Sequence, residues 1–102
     1  MEWYHYLSGF WAGVFLANFV PHFVKGACGD LFPTPFSKPR GKGPSSPMVN
    51  VLWSLLNLAI AYILYRVGKV SLENSLAMAI FFAGFAAKSM TGARNFAKKE
   101  QM

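Results

Sequence analysis

Apolar residues fall into three blocks along the chain. The first covers 4–24, and its polar interruptions are His5, Ser8, Asn18 and His22. The second covers 49–67 and contains Asn50, Ser54 and Asn57. The third covers 72–90, with Glu73, Asn74 and Ser75 in its first turn and Lys88 in its last. Each approaches the ~20 residues that carry a helix across ~30 Å of hydrocarbon. Inside lipid a backbone must satisfy its own hydrogen bonds, which a single span does as a helix. The alternating pattern of barrel strands is absent. The pattern therefore predicts an all-α membrane protein forming one transmembrane domain over 1–102. Its parts are helices over 4–24, 48–67 and 72–91, a loop over 26–46 and a basic tail over 93–102.

Local signals place the helix ends. Ser45 and Ser46 precede Pro47, which suits a side-chain cap followed by proline in the first turn. Ser71 is the expected cap of the third helix, with Glu73 and Asn74 near its positive end. The short link over 68–71 predicts an antiparallel hairpin of the second and third helices. Pro21 should kink or loosen the last turn of the first. No basic segment followed by a small-residue cleavage pattern opens the chain, so no signal peptide is expected.

Composition and charge then narrow the class. Hydrophobic residues are 54% and charged residues 14%, against roughly 25% charged in a soluble domain. The aromatic content, 17%, excludes a disordered polycation. Cys28 is the sole cysteine, so an internal disulfide is excluded. Ten Lys and Arg against four Asp and Glu leave a net charge of +6. That surplus sorts by side. Lys25, Lys38, Arg40, Lys42, Lys88, Arg94, Lys98 and Lys99 fall on the side of the first loop and the tail, and only Arg66 and Lys69 fall opposite. A bias of this kind predicts the N-terminus outside, with loop and tail in the cytoplasm. Trp3, Tyr4, Tyr6, Tyr62 and Tyr65 would then form an outer aromatic belt. The charge argues for orientation and contact with lipid phosphate, not for nucleic acid. A cell membrane is the expected location, with a bacterial inner membrane the specific expectation.

The loop is long, Pro/Gly-rich and basic. Phe32 and Phe36, stiffened by Pro33 and Pro35, should dip into the interface or cover the end of the bundle. Lys38, Arg40, Lys42, Ser45 and Ser46 lead into a helix start and are candidate contacts for an anion or lipid phosphate. The spacing is not that of a Walker loop.

Candidate chemistry within the membrane is polar rather than charged. Asn50, Ser54 and Asn57 make one stripe of the second helix, while Asn18 and His22 are an i, i+4 pair on the first. With Lys88 they lie at similar depth and form an intramembrane cluster, read either as interhelical glue or as part of a pathway. His5 and His22 are ~25 Å apart on one helix and cannot share a centre. His22, Cys28 and Asp30 have no recognised metal spacing, so neither metal nor cofactor is expected. A pigment or haem on either histidine is the weakest alternative.

Small residues supply packing faces. Gly9, Gly13 and Ala17 repeat at four-residue intervals on the first helix. On the third, Ser75, Ala79, Ala83 and Ala86 share one face, and Gly84 and Lys88 share another. More packable faces than three helices consume suggest one reserved for another chain. The expectation is a non-enzymatic accessory subunit that contacts membrane lipids and forms a homo-oligomer or joins a larger membrane complex. The alternative is a small oligomeric carrier or channel for a small anion or amphiphile.

Overall fold

The computed structural model describes residues 2–35 and 43–100, with side chains through residue 95. It is all-helical, with α1 (Trp3–Ala27), α2 (Pro47–Val67) and α3 (Ser75–Glu100). All three helices are long and apolar enough to cross a membrane, so the chain is a multi-pass membrane protein.

The helix ends follow local chemistry, with two departures from expectation. Helix α2 starts as its sequence indicates: the Ser46 hydroxyl accepts from the Val49 N–H at 3.2 Å, and Pro47 occupies the first helical position. Helix α3 starts later than expected. Asn74, not Ser71, is the cap, its Oδ1 accepting from the Ala77 N–H at 3.1 Å, while its own N–H donates to the Ser71 carbonyl at 3.2 Å. The residues between Gly68 and Asn74 are thus spent on turning the chain. Helix α1 continues past Pro21 to Ala27, beyond its expected end at residue 24.

Both long helices before the last turn end in a left-handed residue with a six-to-one backbone bond. After α1, Gly29 has φ +79° and the Asp30 N–H donates to the Lys25 carbonyl at 2.8 Å. After α2 the same position is Lys69, with φ 52°, and the Val70 N–H donates to the Tyr65 carbonyl at 3.3 Å. The glycine sits one residue earlier because Gly68 lies on the backbone of α1. A Cβ there would meet the Gly9 nitrogen and the His5 carbonyl oxygen, each at 2.8 Å.

Helix α1 is the centre of the bundle. It packs against both α2 and α3, whereas those two do not pack on each other among the described residues. The short link reverses the chain, yet the expected hairpin interface is replaced by α1 lying between its arms. Side chains of the two arms still meet, as where the Tyr65 and Phe81 rings stand edge to face at 5.3 Å. Register follows from the contacts. Gly68 lies on Gly9 and Gly26 on Pro47, so α2 is antiparallel to α1. Gly9 lies beside Val70, in the link before α3, and Gly13 lies on Phe81 and Phe85 within it, so α3 runs parallel to α1.

The glycines on α1 and α3 decide how close that second approach is. A Cβ on Gly13 would run into the Phe81 carbonyl, and one on Gly84 into the Phe10 carbonyl. On α1 the expected small residues Gly9, Gly13 and Ala17 are all buried. On α3 the packed residues are Ala77 and Gly84. Ala79 and Ala83, expected to pack, are exposed in this chain, and Ala86 is half-buried. The face that carries Gly84 wins because it admits backbone contact, which alanine on both sides would forbid.

Candidate functional site

The buried polar side chains gather at the end of the bundle where α1 stops and α2 starts. Asn50 is wholly buried. Its Nδ2 donates to the carbonyls of Phe32, Ser46 and Ser45 at 2.9, 3.1 and 3.3 Å. Carbonyls only accept, so this end of the amide must be the nitrogen. The Oδ1 therefore faces His22 Nδ1, 2.8 Å away, and that ring nitrogen carries the proton. One asparagine thus ties α1, the start of α2 and the incoming chain into a single unit.

The segment it holds is itself paired. Phe32 and Ser45 exchange backbone bonds, the Ser45 N–H donating at 3.0 Å and the Phe32 N–H at 3.3 Å. The hydroxyls of Thr34 and Ser45 lie 2.6 Å apart in a hydrogen bond, both buried. Phe32 stands edge-on to His22 at 5.2 Å, and so covers the end of the bundle.

Deeper in the same interface, Asn18 Nδ2 donates to Asn57 Oδ1 at 3.0 Å, and Asn57 Nδ2 turns back to the Trp53 carbonyl at 2.8 Å. The Ser54 hydroxyl donates to the Val51 carbonyl of its own helix at 2.6 Å, without crossing. Of the expected intramembrane cluster, Asn18, His22, Asn50 and Asn57 are therefore brought together in two cross-helix pairs. Ser54 is buried beside them. Lys88 stands apart, with no hydrogen bond or ion pair to them among the described residues.

Lys88 instead lines a groove of about 500 Å³ between α1 and α3. Its walls are Ala17, Asn18 and Pro21 on α1 and Phe85, Lys88 and Ser89 on α3, with Phe32 at the end. The groove begins beyond the tight crossing at Gly13 and Gly84.

The expected anion contacts are only partly in view. Ser45 is buried against Thr34, and the Ser46 hydroxyl is taken by the Val49 N–H, so the chain's own groups occupy both serines. Lys38, Arg40 and Lys42 lie outside the described residues, as does Phe36. His5 serves the start of α1, where its Nδ1 accepts from the Glu2 N–H at 3.0 Å. Among the described residues no three His, Cys, Asp or Glu side chains cluster as metal ligands would.

Sequence reasoning missed Thr34, Gly26 and Ala77. Gly26 admits the Pro47 carbonyl, to which a Cβ would come within 2.7 Å. Its one signal was a glycine following the bulky run Phe23, Val24 and Lys25. Compared with known proteins, the chain matches no family model, no curated protein and no solved structure. The residues and their geometry therefore carry the functional argument alone.

Proposed function

We propose that this chain is a non-enzymatic membrane subunit that docks onto copies of itself or onto a larger membrane complex through the outward face of α3. One observation carries the proposal. Asn18, His22, Asn50 and Asn57 are spent on joining α1 to α2, while the small-residue face at Ala79 and Ala83 is left outward. In the proposed setting the N-terminus is outside, and the link from α1 to α2 and the tail are cytoplasmic in a bacterial inner membrane. Support for this orientation comes from Arg66 and Lys69 at the end that also holds Trp3 and Tyr4, with Lys25, Lys88 and Arg94 towards the other. The basic loop residues would then contact lipid headgroups.

The test of docking is purification in mild detergent. A stable oligomer or a reproducible co-purifying complex is expected, dispersed by Ala83→Trp with helix content unchanged. A wild-type monomer without a partner overturns the proposal. Orientation has its own probe, since Cys28 is exposed. A membrane-impermeant maleimide should label it in inverted vesicles and not in intact cells, and the reverse pattern overturns the topology.

The groove beside Lys88 favours one second function, a carrier for a small anion or amphiphile. Flux into liposomes that survives Asn50→Leu with Lys88→Met would remove both residues from any pathway.

A further inference from the structure

We infer that the groove between α1 and α3 is a binding site for one anionic phospholipid, with its phosphate on Lys88. The inference rests on the chain spanning a membrane, and stands whether or not α3 docks onto a partner.

Depth is the first argument. The apolar block that α3 carries ends at residue 90, two residues beyond Lys88, so the lysine Cα lies ~3 Å inside that boundary. Its four-carbon stem spans that depth and delivers the ammonium to the phosphate level of the headgroups. Shape is the second. Ala17, Val20 and Phe85 make an apolar channel that fits an acyl chain, and Ser89 adds a hydroxyl donor beside the ammonium. Charge complementarity is the third, because no carboxylate pairs with Lys88 among the described residues.

The experiment is native mass spectrometry of the full chain in mild detergent with equal amounts of phosphatidylglycerol and phosphatidylcholine. One phosphatidylglycerol should be retained about fivefold over phosphatidylcholine, the factor expected of one basic residue at the headgroup level. Lys88→Met should reduce the ratio to parity, and Lys88→Arg should keep it. Lys69→Met, at the opposite end, should leave it unchanged. Ser89→Trp fills the groove without altering charge and should also abolish retention. Parity in the wild type, or a preference that survives Lys88→Met or Ser89→Trp, overturns the inference. Retention of oleate in place of phosphatidylglycerol overturns the assignment to a phospholipid.

Discussion

Against α2, helix α1 presents Asn18 and His22, which bond Asn57 and Asn50 across the interface. Against α3 it presents Gly13 and the backbone of Phe10, which take Phe81, Phe85 and Gly84 at near contact. Lipid tails are as apolar as leucine, so apolar side chains gain little by leaving lipid for a neighbouring helix. Two other sources of adhesion remain, and this chain uses one on each side of the same helix. Hydrogen bonds join the first pair, which a missing atom would weaken. Close van der Waals contact joins the second, which an added atom would weaken.

The sharpest way to break that contrast is to add atoms to the glycine seam. Gly84→Val drives two methyl groups at the Phe10 carbonyl and should cost about 3 kcal/mol. Unfolding by SDS titration in mixed micelles reads the loss, and a cost below about 0.5 kcal/mol would mean that the helices separate freely. The polar seam should respond to subtraction. Asn50→Leu keeps the volume but strips the buried His22 N–H and three carbonyls of their shared partner, at about 2 kcal/mol. Added protease susceptibility around Phe32 and Ser45 would accompany it, because Asn50 holds those two residues to the bundle. An undiminished midpoint would show that the network forms without adding stability.

A smaller effect tests the joint between the seams. Lys69→Gly relieves a left-handed residue that touches neither interface and should raise stability by about 1 kcal/mol. Gly68→Ala, one residue away, should lower it through contact with Gly9 and His5. Opposite signs at adjacent positions would separate the conformational use of glycine from its steric use. The smallest expected change is at the deeper asparagine pair. Asn18→Leu and Asn57→Leu should show a coupling of about 0.6 kcal/mol in a double-mutant cycle, as buried membrane hydrogen bonds average. A coupling near zero would leave His22–Asn50 as the interaction that sets the register of α2 on α1.

Much of the polar seam was legible in the sequence. Asparagine and histidine at membrane depth need partners, and an antiparallel pair places residues 18 and 22 opposite residues 57 and 50. The glycine seam was only half legible. The row Gly9, Gly13, Ala17 marks a face of α1, but α3 offers two small-residue faces, and periodicity does not choose between them. The choice fell to Ala77 and Gly84, where a missing Cβ lets a carbonyl in. The groove at Lys88 was not legible, since it arises from what two helices leave unfilled beyond their crossing.

The sequence by itself determined three apolar spans, the Ser46–Pro47 start of α2 and the polar stripe that must face inward. Hydrophobic length and local capping are properties of one segment, so one segment suffices to read them. Only the tertiary structure decided that α1 lies between α2 and α3, that Asn74 begins α3, and that Asn50 gathers the chain ends. A membrane helix is apolar on nearly every side, so its own pattern does not separate a neighbour from lipid. Close backbone approach makes that distinction, and it exists only once two helices are in place.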